Sequence, residues 1–340
     1  MRERIKVLVK AIIVSLVFLP FSTGAQPKIL NIGTHAVGTF FNVVGSSVAA
    51  VISKHTPIQV KVMPIGIGGW MPRMVTGEMD LGVLNSTDAR WAYFGLEQYE
   101  EMSKGKGFPI RLLLTGIYND ISILVRGDLP VEKSSQLKGL RIAAGFSKAP
   151  ACHLQATAVL ANGDLTWKDV KLIPVDGPGA AVKAVIEGRA DAAGTATVGM
   201  PDVEELAAKR GARFVALDPS PEAQARTLKV YPDGWLNLVK GGKYTGVEKD
   251  SWLLRYEIYI VAREDLPNEV VRTILETLWN YHTELQTYHK KFQEEWSREG
   301  YASKKLTIPY HPAAVAFLKE KGLWTKELES KQKELLEKKK

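Results

Sequence analysis

The 340-residue chain contains a single cysteine, Cys152. One thiol makes no internal disulfide, so the fold has to be held by burial, and this length buries a sizeable core without staples. The sequence has no His-Glu-x-x-His and no paired cysteine ligands, so zinc chemistry lacks support. Cys152-His153 are adjacent, but a buried thiol beside a helical histidine explains them. His282 and His289 share a helical stretch with no third ligand. The glycines at 33 and 38 have phosphate-loop spacing, yet Thr39-Phe40 stands where Lys-Ser/Thr is required. Ser135 and Lys138 match a short Ser-x-x-Lys pattern without its companion motifs. These gaps lead us to expect no catalytic residue, no metal and no cofactor: the protein is not expected to be an enzyme. Excess charge is also small. Lys and Arg number 45 against 37 Asp and Glu, a formal net of +8, which is too mild to imply nucleic-acid binding.

Long hydrophobic runs are missing too, apart from one. Arg2, Arg4, Lys6 and Lys10 precede an apolar run at 11–19, closed by Pro20, with Thr23-Gly24-Ala25 supplying small residues at a cleavage position. Nine residues are too few to span a bilayer as a helix, so an export signal cleaved after Ala25 is expected. No cysteine follows, which speaks against a lipid-anchored N-terminus. Removing this segment leaves 41 basic against 36 acidic residues. The remainder is expected to be soluble in the periplasm.

The informative feature that is present is an internal repeat. IGIGGWMPRMVTGEMD (65–80) aligns with DGPGAAVKAVIEGRAD (176–191): Gly66, Gly68, Gly77 and Asp80 meet Gly177, Gly179, Gly188 and Asp191. Upstream, KILNIG (28–33) and LRIAAG (140–145) are short apolar strands ending in glycine, at nearly the same offset. Each copy reads strand, helix, strand, helix, strand, the signature of parallel sheets with right-handed crossovers. A second echo relates ILVRGDLP (123–130) to IVAREDLP (260–267). It suits two strands that carry the chain across a hinge and back. The expected fold class is therefore α/β with two lobes, a hinge and a central cleft: residues 26–120 with 255–340, and residues 121–254. In the C-terminal third, apolar spacing predicts a helix over 269–296 and another beginning near Pro312, while the charged tail 327–340 is expected to fray.

In open parallel sheets, ligands collect beyond the carboxyl ends of the strands, where loops lead into helix N-termini. Two facing lobes offer six such loops: 33–42, 65–70, 84–88, 145–151, 176–181 and 195–200. Their side chains nominate the ligand-binding candidates Thr34, His35, Thr39, Phe40, Asn42, Gly68, Trp70, Asn85, Ser86, Ser147, Lys148, Thr195 and Thr197. Among them Trp70 is the candidate apolar wall, and His35 and Lys148 the candidates for charge contact with an anion. Helix capping explains the Thr, Ser and Asn residues equally well, and the two roles are compatible.

Five segments carry a family resemblance: IGTHAVGTFF (32–41), VTGEMDLGV (75–83), LKGLRI (137–142), VIEGRADA (185–192) and PYHPAA (309–314). In their order and spacing the chain resembles the TAXI-type solute receptors of tripartite ATP-independent periplasmic (TRAP) transporters. That resemblance implies a type II periplasmic-binding-protein fold. It further implies capture of a small organic solute, an amino acid or dicarboxylate in several relatives, for a membrane transporter subunit. Two departures stand out. Phe40 and Phe41 replace a tyrosine pair, and the loop GFSKAPA (145–151) has lost hydroxyls and gained a lysine, which suggests a carboxylate less polar than glutamate. A receptor that presents its ligand to a membrane sensor uses the same clamp, and sequence does not separate it from transport.

Overall fold

The computed structural model describes residues 29–147 and 149–339. The expected signal segment, its cleavage point and Lys148 lie outside the described residues. The chain runs through β1 (Ile29–Gly33), α1 (Phe40–His55), β2 (Gln59–Met63), the single turn α2 (Ile67–Trp70), β3 (Leu81–Asn85), α3 (Ser86–Phe94) and α4 (Gln98–Ser103). The 17-residue β4 (Ile110–Arg126) then leads into β5 (Arg141–Gly145), α5 (Pro150–Asn162), β6 (Lys171–Val175), α6 (Pro178–Ile186), β7 (Ala192–Thr197), α7 (Pro201–Arg210), β8 (Ala212–Phe214), α8 (Pro221–Val230) and β9 (Trp235–Val239). The 13-residue β10 (Ser251–Arg263) brings it back to α9 (Asn268–Asn280), α10 (His282–Thr287), α11 (Lys290–Glu295), α12 (Pro312–Glu320) and α13 (Lys326–Lys338).

The sheet order is β2-β1-β3-β10-β4-β7-β5-β6. Three parallel strands at each end flank the long antiparallel pair β4 and β10. This is the type II periplasmic-binding-protein arrangement. The repeat holds to the residue in its outer strands: Gly33 faces Met63 as Gly145 faces Val175, each displaced by 112 positions. The conserved spacing of the two aspartates has a structural cause. Asp80 accepts the Asn31 backbone N–H (2.9 Å) and the Arg263 Nε–H (3.1 Å), while Arg263 N–H donates to its carbonyl. Asp191 does the same for the Arg141 backbone N–H (3.0 Å), and Arg126 stands 3.7 Å away with its own N–H on the Asp191 carbonyl. Arg126 and Arg263 are the arginines of the second sequence echo, so both echoes meet in one duplicated bracket.

Two apolar cores divide the molecule. The first draws on residues of 30–117 and 258–335, the second on residues of 121–256. Along β4 the buried side chains turn polar where the strand passes between them, at Thr115, Asn119, Asp120 and Ser122. Buried hydroxyls need partners there: Thr115 Oγ donates to the Ile258 carbonyl (2.8 Å) and Ser122 Oγ to that of Val215 (2.6 Å). Ala151 of α5 packs into the first core, and Phe41 and Leu154 touch both, so the lobes meet across the cleft.

The crossing is pinned by charge. Asp120, 1% exposed, receives Arg255 Nε and Nη2, each at 2.6 Å, and Lys291 Nζ at 3.4 Å. Glu295 completes a balanced quartet, 3.1 Å from Arg255 and 3.9 Å from Lys291, whose side chain is fully buried. Burial alone pushes the Asp120 carboxyl up, but Lys291 and Arg255 hold it below the usual range. Seating Lys291 explains why the stretch 269–296 is three helices rather than one. The chain breaks at Tyr281 and His289, His282 turns in to the Trp296 carbonyl (2.7 Å), and His289 Nδ1 caps α11 by accepting the Lys291 N–H.

The expectation of a frayed tail is corrected. Residues 326–338 form α13, with Leu328 and Leu335, seven positions apart, buried on one face. Gln332 exchanges two hydrogen bonds with the Tyr310 backbone (2.8 and 3.0 Å), and Lys339 Nζ donates to the Phe108 carbonyl. Two inward leucines, seven positions apart in a run of mostly charged residues, were too thin a stripe to read as a docking face.

Candidate functional site

The strand ends that matter are Gly33, Met63 and Asn85 in the first lobe and Gly145, Val175 and Thr197 in the second. Between them lies a cavity of about 380 Å³ lined by residues 65–69, Gln98 and Met102 from the first lobe and Ser147 and Pro150 from the second. Gly66 has φ +73° and Gly68 has open space where a Cβ would stand, so backbone forms this part of the wall. Opposite, Ser147 is exposed and donates to Asp176 (3.1 Å). The caps of α5 and α6 are Ala149 and Gly177, neither of which offers a side-chain acceptor; Pro150 and Pro178 open the two helices without an N–H, and the Cys152 N–H donates to the Ala149 carbonyl (2.9 Å).

The candidate residues divide into three groups. Thr34, Thr39 and Asn42 fix the first loop to itself: Asn42 Nδ2 donates to Thr34 Oγ (3.0 Å), Thr34 Oγ to the His35 carbonyl, and Thr39 caps α1. Thr195 Oγ likewise serves the Cys152 carbonyl (2.9 Å), and Thr197 lies in the β7 ladder opposite Ile121. Trp70 and Phe40 belong to the first core. Trp70 is fully buried, its indole seated over Gly33 and Gly82, where added Cβ atoms would stand 2.3 and 2.5 Å from the ring. Phe40 packs on His289 and Phe292 with Lys291 Nζ 5.4 Å from its ring centre. In the third group Gly68 and Ser147 line the cavity, while Asn85 and Ser86 are buried at the head of α3, where Asn85 Oδ1 accepts the Asp88 N–H (2.7 Å). His35 stacks on Phe41 at 4.4 Å with Nε2 buried and unpartnered. Burial draws its pKa down to about 4, so the ring is neutral at neutral pH and offers hydrogen bonding rather than charge.

The structure adds residues that sequence reading did not nominate. Asp88 is buried at the head of α3, taking Tyr99 Oη (2.8 Å) and Gln98 Nε2 (3.1 Å) on Oδ1 and Asn85 Nδ2 (2.5 Å) on Oδ2. Burial raises its pKa to about 6, against those hydrogen bonds. At the crossing strands, Asn119 Nδ2 donates to Tyr256 Oη (2.9 Å) and Gln155 Nε2 to Tyr231 Oη (3.2 Å). Ser86 Oγ, Gln98 Oε1, Asn119 Oδ1 and Gln155 Oε1 are all buried without a partner among the described residues. Unsatisfied polar atoms are rare in folded interiors, which singles these four out. The polar break in β4 was the available signal for Asn119; nothing local distinguishes Gln98, Gln155, Tyr231 or Tyr256. Cys152 is half-buried near Asp88, and desolvation pushes its thiol pKa up. Among the described residues no group of three or more His, Cys, Asp or Glu could hold a metal, and no helix is long and apolar enough to cross a membrane.

Comparison with known proteins places residues 32–322 in a match to the NMT1-like family. Among solved structures the chain is similar to the periplasmic sulfonate-binding protein SsuA of Methylobacillus flagellatus KT, at 15% identity over 88% of each chain and a TM-score of 0.49. It is also similar to a TctC solute binding protein from Polaromonas, at 18% identity over 84% of this chain and 93% of that one, TM-score 0.48. A third is the aliphatic sulphonate binding protein SsuA from Escherichia coli, at 14% identity over 90% and 92%, TM-score 0.47.

Proposed function

The chain belongs to the NMT1-like family, and from that premise and the geometry of the cleft we propose that it is an exported solute receptor, not an enzyme. It closes its two lobes, 26–120 with 255–340 and 121–254, on a small organic solute in the periplasm and delivers it to a membrane transporter of the TRAP type, as the TAXI-like segments imply. The observation that carries this reading is the pair of separate cores joined through β4 and β10, with strand-end loops of both lobes meeting at one cavity. A carboxylate would lie on the second-lobe side, toward the N-termini of α5 and α6, since helix N-termini attract anions. A solute that touches both lobes favours the closed form through contacts that exist only there.

The test is a thermal-shift screen of the protein from Gln26 onward, refolded to strip carried solute, against amino acids, mono- and dicarboxylates, keto acids, aromatic acids, sugars and nucleotides. A solute at about 100 times its Kd adds about 2.7 kcal/mol. The shift should fall in the carboxylate classes and be accompanied by compaction in solution scattering. Compaction with sugars alone would overturn the solute class, and tight binding without compaction would overturn the clamp.

A further inference from the structure

The first-lobe wall of the cavity is apolar. Ile65, in the loop after β2, and Met102, in the last turn of α4, both line it, and both are exposed, at 42% and 37%. The rest of that wall is Ile67, glycine backbone and one polar side chain, Gln98; Pro150 adds apolar surface on the second-lobe side. Among the described residues of the lining, none is charged. Gln98 Nε2 donates to Asp88 (3.1 Å), so the charge held behind this wall is negative. A carboxylate pressed onto the wall by lobe closure would lose water, gain no counter-charge and face the like charge of Asp88. A hydrocarbon group in the same place would cover Ile65 and Met102 and take their surface out of water. The unbranched thioether of Met102 adapts to the shape laid against it, so the wall discriminates by charge more than by outline.

We infer that Ile65 and Met102 set the solute class: the receptor takes a monocarboxylate whose far end is a hydrocarbon group, aliphatic or aromatic, in preference to the dicarboxylate in which a second carboxylate replaces that group. The inference rests on the receptor reading, in which the acid group lies toward the second lobe, and names the solute class for that cleft.

The test uses calorimetric titration of the stripped protein with pairs in which an isopropyl group and a carboxylate, alike in shape, exchange at one end: leucine and aspartate, homoleucine and glutamate, 4-methylpentanoate and succinate, 5-methylhexanoate and glutarate. Native mass spectrometry of unstripped protein identifies the solute it carries. The carried solute should have one carboxylate and a hydrocarbon end, and the isopropyl member of any bound pair should bind at least about tenfold tighter, the scale of two buried carbon groups. Met102→Lys puts an ammonium on the wall through a side chain already open to solvent. It should lower that ratio at least about tenfold while leaving the unfolding midpoint unchanged. Ile65→Ser should weaken the isopropyl member several-fold and leave its dicarboxylate partner unaffected. A carried solute with two carboxylates or none, a dicarboxylate bound as tightly as its isopropyl partner, or a ratio that both variants leave intact overturns the inference while leaving the receptor standing. A protein that carries and binds no small solute overturns both.

Discussion

Replacing Lys291 with methionine removes one charge from the hinge quartet and little else, because the side chain is fully buried and its Nζ sits 3.4 Å from Asp120 and 3.9 Å from Glu295. At an effective dielectric near 20 those separations correspond to about 5 and about 4 kcal/mol of attraction, most of it offset by the cost of burying the ammonium. What decides the outcome is the imbalance left behind: Asp120 and Glu295 then share Arg255 alone. Breaking a buried pair by removing one partner typically costs about 3–5 kcal/mol. For a folded body of this size that is a fall in Tm of roughly 5 °C. Glu295→Gln should cost less, about 1–2 kcal/mol, because burial already disfavours its charge and raises its pKa. The double variant restores neutrality around the Asp120–Arg255 pair, so it should be more stable than the sum of the singles by at least about 1 kcal/mol. Urea unfolding followed by circular dichroism measures all four corners of the cycle. Strict additivity, or a Lys291→Met variant within about 0.5 kcal/mol of the parent, would refute the claim that this quartet works as a unit.

Three further outcomes follow from other parts of the molecule. The raised pKa of Asp88 means the folded state holds its proton more tightly than the unfolded chain, so stability falls as pH rises through the window between about 4 and about 6; Asp88→Asn should remove about 3 kcal/mol of that loss, and parallel Tm–pH curves for parent and variant would argue against it. Gly33→Ala drives a methyl to 2.3 Å from the Trp70 ring and should cost at least about 1–3 kcal/mol with a changed tryptophan emission spectrum, partly relieved by pairing it with Trp70→Leu. Ending the chain at Glu320 uncovers the seats of Leu328 and Leu335 and should lower stability by about 3–5 kcal/mol, whereas a frayed tail would leave the midpoint where it was.

The parts of this structure that could be read from the sequence are those where local chemistry repeats. Asp80 and Asp191 recur because each closes the same bracket between a first strand and an arginine on a crossing strand, and that need fixes both identity and spacing. The glycines ending β1 and β5 recur because each strand hands over to a loop above its sheet. The cleft was legible only as a set of loops. Trp70 turns into the core because Gly33 and Gly82 leave room on neighbouring strands, a vacancy that exists only once β1 and β3 are paired. Lys291 reads as a surface lysine until Asp120, 171 positions earlier, is folded beneath it. Gln98 meets its partner in a carboxylate ten residues back that Tyr99 also holds. Such residues get their meaning from partners that the linear order does not place beside them.

The crossing strands carry one more consequence. Ile121 and Leu254 are directly opposed in the β4–β10 ladder, one strand spacing apart, and they bracket every buried residue of the second core except Tyr256. The second lobe is thus, in topological terms, a loop enlarged into a domain at the tip of a hairpin. Excising 122–253 and joining the stubs with a two-residue turn would shorten β4 and β10 but keep the stretches of both that feed the first core, 110–117 and 258–262. Its mirror operation would graft a foreign domain with neighbouring termini onto the same two stubs. A receptor organised in this way can exchange half of its cleft for another without re-threading the half that stays.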